Sequence, residues 1–194
     1  PSFSLQLAED ASGTQPKVTY PVWCDYKLDG LRMVAIKEGN NVTLYSRKGH
    51  EIEVLPSLQA ILATARDDFM LDGEVMGRSW NETQSTVFAT KNTVDDSNMF
   101  YNVFDGMPLH EGKSQKGTLL YGSRCDFVKH IVQQVSHTRV RSVGGKIINS
   151  YEGLMEFYKQ ALQGGHEGIM IKDMSAVYAL KRSKAVMKMK QSSI

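Results

Sequence analysis

The sequence predicts a mixed α/β fold, α+β in style, with antiparallel sheets and flanking helices. Three observations carry this expectation. Short extended runs recur along most of the chain, hairpin-length links between them outnumber helical crossovers, and a few segments place apolar residues at helical spacing. With 194 residues, and roughly 100–200 residues per domain, there is room for one large domain or two very small ones. Hydrophobic residues make up 41% and charged residues 23%, which supports a packed core and excludes global disorder.

Taken in order, residues 1–20 are polar, contain Gly13 and Pro16, and are expected to form an irregular leader before a domain over residues 21–194. Strand-like segments begin at Val22. Residues 31–36 and 42–47 flank the turn Glu38-Gly39-Asn40-Asn41 and read as a hairpin. Residues 56–65 read as a short helix with Leu55, Leu58, Ile61 and Leu62 on one face. Residues 69–75 form a strand that ends in the carboxylates Asp72 and Glu74, and residues 99–104 form another, closed by Asp105-Gly106. Ser123 is expected to cap a helix whose apolar face is Phe127, Val128, Ile131, Val132 and Val135. Ser150 caps a second, with Leu154, Phe157, Tyr158, Ala161 and Leu162 at helical spacing and Gly164 at its end. Strands at 169–171 and 186–189 follow. Both helical stripes read as core faces, and the ten methionines as packing.

Composition narrows the function classes. The 23 basic and 21 acidic residues leave a formal net charge of +2, so any nucleic-acid contact must come from local patches. No run approaches the roughly 18 apolar residues of a membrane helix, and no signal peptide is visible. Cys24 and Cys125 are too few for a disulfide framework or a zinc site, which suits a reducing interior. The GxxxxGK[ST] and GxGxxG phosphate cradles are absent, as are HExxH and CxxC.

The segment Asp25-Tyr26-Lys27-Leu28-Asp29-Gly30-Leu31-Arg32 holds the most chemistry. If it is extended, Lys27 and Asp29 project from the same side, and Gly30 permits a turn or a close approach. A lysine attacks only as the free amine, which burial and neighbouring cations favour. Lys181, Arg182, Lys184, Lys188 and Lys190 supply such cations, with Lys188 and Lys190 on one strand face. A row of cations beside a lysine suits a polyphosphate. Asp72 and Glu74, and Glu167 with Lys172 five positions later, place carboxylates at strand ends, where magnesium or ribose hydroxyls fit. Each of these segments alone also reads as an ordinary turn or solvated strand end. Cys24 reads as packing and His166 as a loop residue.

Together these residues resemble a known set. Lys27-Leu28-Asp29-Gly30-Leu31-Arg32 matches the KxDGxR signature of the covalent nucleotidyltransferases, which include ATP-dependent DNA ligases, RNA ligases and mRNA capping enzymes. Ser46-Arg47, Leu71-Asp72-Gly73-Glu74, Tyr101-Asn102-Val103-Phe104-Asp105, Glu167-Gly168-Ile169-Met170-Ile171-Lys172 and Lys188-Met189-Lys190 resemble the family's later motifs, in the family's order. The set covers Asp25 to Lys190 and is most similar to the adenylation domain of small phage-type DNA ligases.

The resemblance implies a nucleotidyltransferase, ATP-grasp-like adenylation domain that uses ATP and magnesium. Lys27 would attack the α-phosphate to form lysyl-AMP. Asp25 would lie near the adenine edge and Phe104 would stack on the base. Asp29 and Glu74 would contact ribose or metal-bound water, with Glu167 and Glu74 as metal ligands. Arg32, Lys172, Lys188 and Lys190 would bind phosphates or AMP, and Arg47 would meet the 5′-phosphate of nicked double-stranded DNA, the implied partner. The resemblance also implies a cytoplasmic monomer (in the host's cytoplasm, if the source is a phage) serving replication, repair or recombination. The family's oligonucleotide-binding barrel after the last motif is expected to be absent. An RNA ligase or capping guanylyltransferase shares the first step and is the alternative, together with a non-catalytic nucleotide-binding module.

Overall fold

The computed structural model describes residues 4–90, 95–114 and 116–191. Residues 1–3 of the expected leader and 192–194 of the expected domain lie outside them. In chain order the elements are β1 (Leu7–Asp10), β2 (Val22–Tyr26), β3 (Leu31–Glu38), β4 (Asn41–Ser46), α1 (Pro56–Ala63), β5 (Phe69–Met76), α2 (Trp80–Val87) and β6 (Phe100–Pro108). There follow α3 (Leu109–Lys113), α4 (Tyr121–Val135), β7 (Val140–Ser142), β8 (Gly145–Ile148), α5 (Tyr151–Gln163), β9 (Gly168–Asp173) and β10 (Arg182–Lys190). Two compact units result. The first consists mainly of Asp29–Gly117 and Ser123–Ser142, the second of Leu5–Leu28, Thr118–Gly122 and the chain from Val143 onward.

The first unit holds a five-stranded sheet in the order β4-β3-β5-β6-β7. Alternation along β3 sends Met33 and Ala35 to one face, where they join Leu71 and Val75 of β5 and Tyr101 and Val103 of β6. Leu58 and Leu62 of α1 and Val128 and Ile131 of α4 close this core. The opposite face carries Arg32, Glu74 and Asn102 in register. The β3–β4 hairpin forms as expected, with Gly39 at φ 63° in its turn.

The second unit holds a sheet in the order β1-β10-β9-β2-β8. Its core packs Val22 and Cys24 of β2, Ile169 and Ile171 of β9 and Met187 and Met189 of β10 against Leu154, Phe157 and Ala161 of α5. Ser150 caps α5 by accepting the Gly153 N–H at 3.1 Å.

Several expectations are corrected. Residues 1–20 are not simply an irregular leader, because they include β1, which pairs in parallel with β10, and the buried Leu5 and Ala11. A polar four-residue strand pairing with a partner about 170 residues away leaves no local signal. Asp105-Gly106 does not close a strand. It lies inside β6, and the Asp105 carboxylate turns back to accept the Gly106 N–H at 2.8 Å. Ser123 is not the cap of α4, which begins two residues earlier at Tyr121. The pairs β1–β10 and β6–β7 are parallel within otherwise antiparallel sheets. Among the described residues, no helix is long and apolar enough to cross a membrane.

Candidate active site

In the second unit, β2 ends at Tyr26, and the Lys27 N–H still donates to the Gly168 carbonyl at 3.0 Å. The strand does not continue through residues 27–29, so the period-two reason for placing Lys27 and Asp29 on one side does not apply. The hydrogen bond to Gly168 instead sets Lys27 beside the start of β9. Glu167 lies just before that strand rather than on it. Its Oε2 is 3.6 Å from the Lys27 Nζ and its Oε1 is 3.5 Å from the Lys190 Nζ. One exposed carboxylate thus sits between two ammonium groups. Gly168 is required here because a Cβ would collide with the Met189 carbonyl oxygen of the adjoining β10.

Lys188 and Lys190 alternate with the buried Met187 and Met189, so both lysines lie on the face away from the core, as expected. Lys190 is further fixed by its N–H, which donates to Ser12 Oγ at 3.0 Å. The loop before Glu167 is held by His166, whose ring stacks on Tyr26 with centroids 4.1 Å apart and planes within 5°. Tyr26 stacks in turn on Phe157 of α5.

Asp25 and Lys172 meet directly. The Lys172 Nζ donates to Asp25 Oδ2 at 2.9 Å, with the two side chains only 3% and 2% exposed. The Trp23 indole N–H donates to the same oxygen at 3.0 Å, and the Tyr121 hydroxyl lies 3.4 Å from the Lys172 Nζ. A buried carboxylate needs such partners. Burial pushes the neighbouring Cys24 thiol up to about 12, and the Asp25 charge adds to the shift. Cys24 is therefore an uncharged packing group, as expected from the sequence.

In the first unit, Arg32 forms a fork with Asp72, Nε to Oδ1 at 2.7 Å and Nη2 to Oδ2 at 2.5 Å. Its guanidinium lies 5.3 Å from the centroid of the Phe104 ring. Phe104 owes its position to a bulge. Asp105 pairs with Asp72 and Val103 with Gly73, so Phe104 is the extra residue of β6. Glu74 lies opposite both Arg32 and Asn102. The Tyr101 hydroxyl, on the core side, donates to the Met33 carbonyl at 2.8 Å and bridges toward that of Leu71. Burial, and after it the Asp72 charge, hold this phenol well above its ordinary value.

Asp29 is exposed just ahead of Gly30, where an added Cβ would stand 2.7 Å from the Val75 carbonyl oxygen. Arg47 is exposed in the turn after β4, a loop closed by the Ser46 N–H to the His50 carbonyl at 2.8 Å. Trp23 and Tyr121 are contributors that sequence reasoning left without a role, and Asp72, read there as a carboxylate for magnesium or ribose, instead pairs with Arg32. The acid-Gly-acid spacing signalled Asp72, but not that it would pair with Arg32 on the sheet face opposite the core. Among the described residues, no three His, Cys, Asp or Glu side chains cluster closely enough to cage a metal.

Residues 6–190 match a family model described as the ATP dependent DNA ligase domain. DNA ligase 2 of Methanosarcina mazei is 31% identical over 182 residues, which is 86% of this chain and 32% of that protein. A probable DNA ligase of Streptomyces coelicolor is 26% identical over 171 residues, 80% of this chain and 32% of that protein. The chain thus spans about a third of the length of these relatives. Among solved structures, one named Pmar-Lig_Pre superposes with a TM-score of 0.89 at 26% identity, covering 98% of this chain and 47% of its own. The ATP-dependent DNA ligase of bacteriophage T7 in complex with ATP shares the fold, with a TM-score of 0.74 at 18% identity over 96% of this chain and 68% of its own.

Proposed function

This chain belongs to the ATP-dependent DNA ligase domain family, and on that premise we propose that it is an adenylation domain that charges Lys27 with AMP and passes it to nicked DNA. The observation that carries this reading is the placement of Lys27 against Glu167, with Lys190 on the carboxylate's other oxygen. One carboxylate thus holds the amines of Lys27 and Lys190 at the same place.

Lys27, as the free amine, attacks the α-phosphorus of ATP. A nitrogen–phosphorus bond forms, the amine loses a proton to solvent, the bond to the oxygen bridging to the β-phosphate breaks, and its electron pair leaves with pyrophosphate. Lys190 and Lys188 neutralise charge on the phosphates. An oxygen of the 5′-phosphate at a nick then attacks the same phosphorus, and Lys27 recovers its electron pair. Finally the adjacent 3′-hydroxyl gives up its proton to solvent and its oxygen attacks the 5′-phosphorus, the bond from that phosphorus to AMP breaks, and AMP leaves with its electron pair.

The other roles carry over from the family residue by residue. Asp25 serves the adenine edge and Lys172 holds that carboxylate in place while serving phosphate. Phe104 serves the base, Asp29 and Glu74 the ribose or metal-bound water, Arg32 the nucleotide and Arg47 the 5′-phosphate. Magnesium, when bound, would neutralise charge on the polyphosphate, and Glu167, or Glu74 as the family resemblance implies, would supply a protein oxygen for it. An exposed single carboxylate fits an ion that takes one or two carboxylates and draws its other ligands from phosphates and water.

The test is incubation of the 194-residue chain with α-labelled ATP or GTP and magnesium, followed by denaturing electrophoresis. Label from ATP should stay on the chain and vanish in Lys27→Ala, and Glu167→Gln should weaken it. Labelling by GTP alone, or labelling that survives in Lys27→Ala, overturns the reading.

A further inference from the structure

Strand register lines up four side chains across the first unit's sheet. Arg32 on β3 lies opposite Glu74 on β5, Glu74 opposite Asn102 on β6, and Asn102 opposite Arg141 on β7. Residues opposite one another in a ladder share a face. At about 4.8 Å per strand, Arg141 stands about 14 Å from Arg32 across the sheet.

The two ends of the row are built alike. Arg32 lies over Phe104, and Arg141 lies 4.8 Å from the centroid of Phe100, four residues earlier on the same strand. Each guanidinium is also tied by a side chain, Arg32 by Asp72 and Arg141 by Asn102, whose Oδ1 accepts from Nε at 2.7 Å. The difference is charge. Asp72 neutralises Arg32, whereas Asn102 orients Arg141 and leaves its positive charge intact. Arg141 is exposed, and neither of its Nη groups has a hydrogen-bond partner among the described residues.

A guanidinium fixed by one nitrogen and one aromatic face, with its outer nitrogens open, is preorganised for a phosphate. The chain's net charge of +2 gives no general attraction to a polyanion, so its grip must come from local cations of this kind. A separation of about 14 Å corresponds to about four nucleotide steps of a duplex at about 3.4 Å each.

We propose that Arg141, oriented by Asn102 and Phe100, binds a backbone phosphate of the DNA strand that this unit engages. The inference rests on the DNA-joining reading above and adds to it an anion subsite outside the family motifs.

The experiment uses the 194-residue chain and a fluorescein-labelled nicked duplex bearing a 5′-phosphate, in EDTA, with anisotropy read across a KCl series. Lysyl-AMP formation from labelled ATP is followed in parallel, in magnesium. Arg141→Ala should weaken duplex binding by several-fold to about tenfold and lower the salt slope by about one. The ratio of duplex affinity to lysyl-AMP yield should fall by the same several-fold factor or more. Arg141→Lys should restore the salt slope while recovering only part of the affinity, and Asn102→Ala should weaken binding with the slope unchanged. An unaltered affinity and slope in Arg141→Ala overturns the proposal, as does a parent chain that fails to bind the duplex. Loss of affinity and lysyl-AMP in equal proportion also overturns it, by making Arg141 a support of the fold or of ATP. A parent chain that binds the duplex but forms no lysyl-AMP sinks the function reading instead, and the salt slopes still decide the role of Arg141.

Discussion

Arg32 and Asp72 meet in a two-point fork on the face of the first unit's sheet opposite its core, with the carboxylate 1% exposed and the arginine side chain 16% exposed. Asp72→Ala removes one partner of this pair and leaves a poorly hydrated guanidinium. We expect a loss of about 3 kcal/mol in urea unfolding. Arg32→Lys keeps the charge but loses both the fork and the flat contact with Phe104, so it should also be destabilising. A loss below about 0.5 kcal/mol for Asp72→Ala would mean that the fork behaves as an ordinary surface pair.

The Asp25–Lys172 pair gives a second expectation, testable by a double-mutant cycle. Lys172→Met removes the ion-pair partner of the buried Asp25 carboxylate and should cost about 3–5 kcal/mol. Asp25→Leu should be comparably damaging. The combined variant should recover much of the loss, because no uncompensated charge stays buried. Strict additivity of the two single losses would contradict this account.

Cys24 gives a pH dependence. Burial raises its thiol from an ordinary value of 9.0 to about 12. The folded state therefore holds its proton more tightly than the unfolded chain does. The resulting stability is fully present below pH 9 and is lost as pH rises from about 9 toward 12. At pH 8, a thiol reagent should modify the half-buried Cys125 of native protein and reach Cys24 only on unfolding. Equal modification of both in native protein would refute the burial argument.

Asp96 supplies a cap from a distance. Helix α1 starts with Leu55 at its N-cap position and no side-chain cap of its own, yet the Ser57 and Leu58 N–H groups donate to Asp96 Oδ2 at 3.1 and 3.2 Å. Arg139 fixes this loop by donating from Nη2 to the Asp96 carbonyl at 2.6 Å. Asp96→Ala should cost about 1–2 kcal/mol in thermal or urea unfolding, and Asp96→Asn should restore part of it. An unchanged midpoint in Asp96→Ala would remove the cap from the account.

What the sequence made legible was local. The Gly39 turn named the β3–β4 hairpin, and Ser150 with a 3.6-residue stripe named α5. The motif order assembled Lys27, Glu167 and Lys190, which the second unit brings together. What stayed hidden depends on partners far away in the chain. β1 acquires its strand from β10, and Asp105-Gly106 looks like a turn until β5 pairs alongside it. Ser123 looks like a cap until Tyr121 and Gly122 find the carbonyls of Ala176 and Met174. Arg141 sits outside every motif, and only strand register places it in line with Arg32.

The pairing of β1 with β10 also leads us to expect an order of assembly. The first unit draws on a nearly continuous stretch, so its strands can meet across local connections, one tight hairpin and three helical links, while the chain is still being made. The sheet that leads into Lys27 joins strands from residues 7–26 to strands from 145–190. It pays for closing a loop of more than a hundred residues before any of that pairing is returned. The sheet that leads into Lys27 is therefore expected to form later than the first unit's. A stalled or truncated chain lacking β10 is expected to retain a folded first unit while the strand leading into Lys27 lies in an unfinished sheet.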